Sequence, residues 1–400
     1  MNQIKRKVKA LKIIYLSHYL PIDEKVSGGL QNYTYRTALA LSKQGEDVSI
    51  VTKINDGSVD SEFPFKNFSI NIKPNKVVSF LNKITKHQID GTLNLILEAK
   101  AFRNKIEELG PFDVLQSPNY QYPALFIRKK YGKIVVRASS YRPLWLESNH
   151  VDINSRLGIL MENILYRRAD AIFAPSQYLA NILTKKFNKR VSVIPTPIPE
   201  RSSEEDQSWY QENLQGLNYI LVFGSMIKRK GLFVLAEAMK KVWLKHPDVK
   251  LVLIGPDSNV DGKSVIEEAK NIMGEANGER IKIFGNLDHR KLFPVIRQSR
   301  FVVMPSLEDN CPNTMLEAMA LSKVVLGTYG SSMDEFYPKS ALRLLVDKGN
   351  VEQLANKIIE LWELSDEELA DYGAQLREFV EANHNPELCA RKLRDFYASL

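Results

Sequence analysis

Short apolar runs recur along the chain, each bounded by turn-forming residues. In the first half, Leu11–Ser17, Val48–Thr52, Asp113–Ser117, Lys133–Ala138, Ala171–Ala174 and Val191–Ile194 read as strands. In the second half, Tyr219–Phe223, Val249–Ile254, Ile281–Phe284, Phe301–Met304 and Lys323–Gly327 read the same way. Runs this short suit strands of a parallel sheet buried on both faces. Helical patterns alternate with them, at 30–44, 73–109, 232–245 and 351–364, and from Asp366 onward. In 73–109, Val77, Val78, Phe80, Leu81 and Ile84 alternate with lysines. That pattern reads as a surface helix with its apolar face on the core, and a membrane-surface helix is the other reading. Pro195-Thr196-Pro197-Ile198-Pro199 breaks any regular element, and residues 200–215 are polar and charged. The pattern therefore predicts two doubly wound, Rossmann-like α/β domains. They span 1–198 and 219–383, with a linker at 199–218.

Composition agrees with two cores. Four hundred residues, 44% hydrophobic, exceed what one core usually serves. No apolar run approaches the ~20 residues that span a bilayer. Leu11–Leu16 is short and lacks a small-residue cleavage site, so it is not read as a signal peptide. Two cysteines, Cys311 and Cys389, make no disulfide framework and suit a cytoplasmic location. Neither has a metal-ligand partner at useful spacing, and the six histidines are scattered. Residues 1–200 carry 30 Lys+Arg against 17 Asp+Glu, and residues 201–400 carry 25 against 30. The basic half suggests an anionic partner for the first domain, such as an anionic membrane at the inner face. No nucleic-acid motif is present, and the basic residues are not interleaved with aromatics as a stacking platform needs.

The most informative stretch is Phe301 to Met319, a strand, a polar loop and a helix from Thr314 to Ala320. A helix N-terminus after a strand favours anions, because free N–H groups and the dipole point at the ligand. Asp309 precedes the helix and Glu317 falls in its first turn. Thr314-x-x-Glu317 also fits a capping box, with Glu317 bonded back to the Thr314 amide. In doubly wound folds ligands bind beyond the carboxyl ends of the strands. Four loops of the second half lie there: 224–231, 255–258, 285–287 and 306–313. They gather Lys228, Arg229 and Lys230 with Asp309 and Glu317. Cations for phosphate and carboxylates for hydroxyls suit a nucleotide sugar.

These residues carry a resemblance. The chain resembles the retaining glycosyltransferases of family 4, which have the two-Rossmann-domain GT-B fold with a cleft between the domains. The matching features are Gly28-Gly29 after the first strand, the run from Arg168-Ala169-Asp170-Ala171 to Pro175-Ser176, and Val193-Ile194-Pro195. Gly224 to Lys230-Gly231 resembles the family's G-R-x-x-x-x-K-G, with Ser225 in place of arginine. Pro305-Ser306 followed by Asp309 and Glu317-Ala318-Met319-Ala320 resembles its P-S and E-x7-E-A-M-A, with aspartate for the first glutamate. The histidine that many members carry in the first domain has no counterpart in Arg137-Ala138-Ser139-Ser140.

The resemblance implies a nucleotide-diphosphate sugar as donor and a lipid-linked or polysaccharide glycan as acceptor. It implies no cofactor and no metal. Lys230 would contact the donor diphosphate and Asp309 would lie beside the transferring sugar, the two catalytic assignments. Glu317 would hold the ribose. Asn310, Cys311, Pro312, Asn313 and Thr314 would present the donor loop, and Gly28, Gly29, Ser225 and Asn286 would complete the donor-binding set. A final helix near 384–400 would cross back onto the first domain, docking through Leu388, Leu393 and Phe396. Two other readings share these features: a nucleotide-sugar epimerase of the same fold, and a non-catalytic nucleotide-sugar-binding subunit.

Overall fold

The computed structural model describes residues 10–18, 29–53, 65–70, 72, 90–144, 146, 153–198, 205–260 and 262–400. The first parallel sheet contains β1 (Lys12–Ser17), β2 (Asp47–Lys53), β3 (Lys66–Ile70), β4 (Val114–Pro118), β5 (Lys133–Arg137), β6 (Ala171–Ala174) and β7 (Val191–Val193). Its order is β3-β2-β1-β4-β5-β6-β7. Helices α1 (Gly29–Lys43), α2 (Asp90–Leu109), α3 (Ile153–Arg168) and α4 (Gln177–Phe187) cover its faces. The apolar strand runs are buried on both sides. Ile14, Leu115, Val136 and Ile172 pack with α2 through Phe102 and Ile106. Ile13, Tyr15, Ile50 and Val135 face α1.

After α5 (Ser208–Asn213), β8 (Tyr219–Phe223) opens the second sheet, followed by α6 (Leu232–Lys245) and β9 (Lys250–Ile254). A two-stranded hairpin, β10 (Asn259–Val260) and β11 (Lys263–Ser264), leads into α7 (Val265–Met273). Then come β12 (Ile281–Phe284), α8 (His289–Gln298), β13 (Phe301–Val303), α9 (Asn313–Ala320), β14 (Val325–Tyr329) and β15 (Leu345–Asp347). The sheet order is β12-β9-β8-β13-β14-β15. The order reverses between β8 and β13, so the loops after those two strands flank a switch point. Helices α10 (Val351–Glu363), α11 (Asp366–His384) and α12 (Pro386–Ala398) end the chain.

The last helix returns to the first domain. Ala390, Leu393 and Tyr397 join the core that holds Tyr15, Tyr33 and Leu41. Phe396 meets the edge of Phe173 at 5.7 Å, and Arg394 pairs with buried Glu46 at 2.7 Å. Leu388, expected on that face, is only half-buried and lies outside the cluster. The two chain crossings lie side by side: Ile198 N donates to His384 O at 2.8 Å, and His384 Nδ1 lies 2.8 Å from Thr196 O.

Several expectations shift. The edge strands β3 and β15 are additions, as are α7 and α8. The expected strand at Lys323 begins at Val325, because Ser322 takes a left-handed turn (φ +58°) that closes α9 first. Of the helix expected over 73–109, residues 73–89 lie outside the described residues. The described part, Asp90–Leu109, buries Ala99, Phe102 and Ile106 in the first core, as a surface helix should.

Candidate active site

The site is built from the ends of β8 and β13. After Phe223 the chain turns at Gly224 and passes Ser225, then forms a 3-10 turn, Lys228–Lys230. Gly231 follows in the left-handed region (φ +78°) and starts α6. A side chain there would stand 1.8 Å from the Pro305 carbonyl oxygen, so only glycine lets the two strand-end loops touch. Leu307 N donates to Arg229 O at 2.8 Å and locks the loops together. Between them lies a cavity of about 300 Å³. Ser225, Lys230, Asp309, Cys311, Asn313 and Thr314 line it, with Gly29 from the first domain.

Lys230 reaches across to Asp309, and Nζ pairs with Oδ2. Asp309 Oδ1 accepts from the Asn310 amide at 2.9 Å. The neighbouring Glu308 turns away and lies 3.5 Å from Lys348. Asp309 is therefore the carboxylate that faces the cavity. Helix α9 begins at Asn313, and its N-cap is Pro312, which offers no side-chain cap. Asn313 and Thr314, the first two residues of the helix, line the cavity, and no side chain caps their amides. Burial pushes the Cys311 thiol up to about 12, and Sγ lies 3.7 Å from Thr196 Oγ1.

Glu317 corrects two expectations. It is the fifth residue of α9, not in the first turn, because Pro312 starts the helix one residue early. Thr314 is then inside the helix rather than at its cap, so the capping-box geometry does not arise. Glu317 Oε1 instead pairs with buried Arg36 of α1 at 3.2 Å, and Oε2 lies 3.8 Å from His289. Glu317 and Asn286 are not in the cavity wall, and Asn286 is exposed on the loop after β12. Gly28 lies outside the described residues.

The loop after β13 also carries the contact between the domains. Asn310 Nδ2 donates to Ser139 O at 2.7 Å, and Asn310 Oδ1 accepts from Ser176 Oγ. Asn313 Nδ2 donates to Gly29 O at 3.3 Å. Glu335 places its carboxylate on the first amides of α4, accepting from Gln177 N and Tyr178 N. Sequence reasoning missed Arg36, Ser139, Ser176, His289 and Glu335. Ser139 and Ser176 stood in stretches compared with the family without a role being given to them, and Arg36 left a local sign, a charge three residues after Tyr33 on the buried face of α1.

Two Rossmann-like domains, each built on a parallel sheet and facing each other at the ends of their strands, have the GT-B architecture of many glycosyltransferases. Family models agree across most of the chain. Glycosyltransferase Family 4 matches residues 27–201, and Glycosyl transferases group 1 matches residues 218–364. The chain belongs to the family 4, group 1 glycosyltransferases. An uncharacterised glycosyltransferase of Methanocaldococcus jannaschii is 27% identical over 58% of this chain and 60% of its own length. The capsular polysaccharide biosynthesis glycosyltransferase CapM of Staphylococcus aureus is 24% identical over 60% of this chain and 64% of its own. The matches thus span less than two thirds of these relatives. The structure of HepE from Anabaena, solved with UDP and glucose, superposes with a TM-score of 0.72 at 16% identity, covering 98% of this chain and 100% of that one.

Proposed function

We propose that this protein transfers a glycosyl group, with retention of configuration, from a nucleoside-diphosphate sugar to a glycan acceptor. The observation that carries the reading is the cavity where Lys230, Asp309 and the uncapped end of α9 converge. A diphosphate seated there meets a cation and a helix dipole, which stabilise the charge that grows as the sugar departs. The positive charge comes from the protein, so the proposed reaction needs no metal. Lys230 then exchanges its Asp309 partner for phosphate oxygens, and Asp309 turns to the sugar. The HepE structure with UDP and glucose, and the name of CapM, support a nucleotide-sugar donor and a polysaccharide acceptor.

The basic first half supports peripheral contact with an anionic membrane. Among the described residues no helix is long and apolar enough to cross one. Product analysis after incubation with a panel of nucleotide sugars tests the reading. Sugar transfer to a glycan acceptor, or slow donor hydrolysis without one, supports it. An isomerised nucleotide sugar indicates an epimerase, and binding without turnover indicates a subunit without catalysis.

A further inference from the structure

Behind the donor loop lies a buried carboxylate that the transfer reaction does not use. Glu162 sits on α3 and is 1% exposed. Its Oε1 accepts from Asn119 Nδ2 at 2.8 Å and its Oε2 accepts from the Arg142 amide at 3.0 Å. Asn119, also buried, donates to Ser140 O at 2.9 Å through the same nitrogen. That leaves Asn119 Oδ1 to accept from the Ser139 amide at 2.9 Å. The carbonyl of Ser139 then receives Asn310 from the second domain. One chain of hydrogen bonds thus runs from a carboxylate in the first domain to the residue beside Asp309. The loop that carries Asn119 is held under backbone strain, with Gln121 and Tyr122 both left-handed at φ +57° and +56°. Such strain in non-glycine residues persists only where surrounding contacts impose it.

We propose that Glu162 is a positioning residue for the donor loop: its carboxylate orients Asn119, Asn119 orients Ser139, and Ser139 seats Asn310 beside Asp309. The inference rests on reading 309–313 as the donor loop. Both carboxylate oxygens accept from N–H groups. A proton on either oxygen would face a donor, and one of the two bonds would be lost. Burial pushes the Glu162 carboxyl up to about 7, opposed by the bonds from Asn119 and the Arg142 amide and by the Arg142 charge. The titratable and charged groups facing it are Arg142 and Tyr141 from the segment after β5, Tyr122 from the loop after β4, and Tyr166 from α3. The tyrosines stay neutral in the physiological range, so Glu162 is the group of this cluster that changes charge there. The network is complete when Glu162 is ionised, and turnover rises with pH through about 7.

The test reads both the network and the reaction in the full-length protein. By NMR, the side-chain amide signals of Asn310, assigned by their loss in Asn310→Ala, should titrate with a midpoint near 7. Glu162→Gln should abolish that titration, because its amide cannot accept from both donors at any pH. This readout does not depend on sugar transfer, so it separates failure of the network from failure of the transferase reading. In turnover, Glu162→Gln should be about tenfold slower at pH 8 and lack the inflection near 7, with KM for donor little changed. Asn310→Ala should lack the inflection too, although Glu162 still titrates in it. Asn310 signals that stay still between pH 6 and 8 in the unsubstituted protein overturn the proposal, whether or not Glu162→Gln folds. So does an inflection that survives Asn310→Ala.

Discussion

The close approach of Gly231 to Pro305 gives a prediction whose size follows from the structure. Gly231→Ala forces a Cβ into a left-handed residue, which costs roughly 1–2 kcal/mol. The new Cβ would meet the Pro305 carbonyl oxygen at 1.8 Å, where separations below 3.0 Å are essentially never found, so one loop must give way by more than an ångström. Overpacking of that kind adds about 1–3 kcal/mol. Restricting the unfolded chain returns roughly 0.4–1 kcal/mol. The net loss is about 2–4 kcal/mol, or roughly 4–16 °C in the unfolding temperature of a domain this size. Gly278→Ala is the control. It needs no positive φ and its new Cβ meets nothing within 4 Å. Its stability should change by less than about 0.5 kcal/mol. Differential scanning calorimetry of the two variants decides the matter. An unfolding temperature for Gly231→Ala within a degree of Gly278→Ala would show that the loops after β8 and β13 do not touch as described.

Three further expectations concern other parts of the molecule. Glu317 lies outside the cavity wall and pairs with Arg36, so Glu317→Gln tests the ribose contact that the family resemblance implies: that contact predicts nucleoside diphosphate affinity weaker by about ten- to a hundredfold in calorimetry, since bonds to a charged group contribute roughly 1.5–3 kcal/mol. The substitution should also lower the unfolding temperature, because Arg36 loses the Glu317 charge. Unchanged affinity would remove Glu317 from the donor site. Deleting residues 386–400 takes Ala390, Leu393 and Tyr397 out of the first core. Limited proteolysis should then cut the first domain well before the second, and equal resistance would refute the docking of α12. Buried His18 is pushed down to about 4, first by burial and then by the charge of Lys53. Its neutral form stabilises the fold fully above about 6.5 and loses that contribution as pH falls toward 4, by about 3 kcal/mol. Urea denaturation should show the unsubstituted protein losing stability relative to His18→Phe as pH falls from 6.5 toward 4, whereas a pH-independent difference would contradict the burial of that ring.

The strand framework was legible because each central strand is a short apolar run buried on both faces. The edge strands were not. Lys66–Ile70 buries only its last residue fully, and Leu345–Asp347 is three residues long. The charged start of α8, His289-Arg290-Lys291, and its internal Pro294 masked the helical pattern behind them. The loop that carries Asp309 was readable as a strand–loop–helix unit, but Pro312 moved the helix start by one residue. That small shift took Thr314 off the cap and carried Glu317 into the second turn. The contacts between domains were invisible for a different reason. Arg36 and Glu317 lie 281 positions apart, and Ser176 and Asn310 lie 134 apart. Nothing in the local pattern of one member names the other, and only the closure of one domain on the other brings them together.

The proposed reaction requires Lys230 and the uncapped end of α9 to seat the diphosphate of a nucleotide sugar. That role is tested most directly by comparing Lys230→Ala with Lys228→Ala in donor binding and single-turnover transfer. Lys230 lines the cavity and pairs with Asp309, whereas Lys228 is not in the cavity wall. Losing a preorganised positive group at a developing anion costs on the order of 100-fold or more in rate. Lys230→Ala should show that loss, with weaker nucleoside diphosphate binding, and Lys228→Ala should behave near-normally. Near-normal turnover in Lys230→Ala, or a larger loss in Lys228→Ala, would contradict that role.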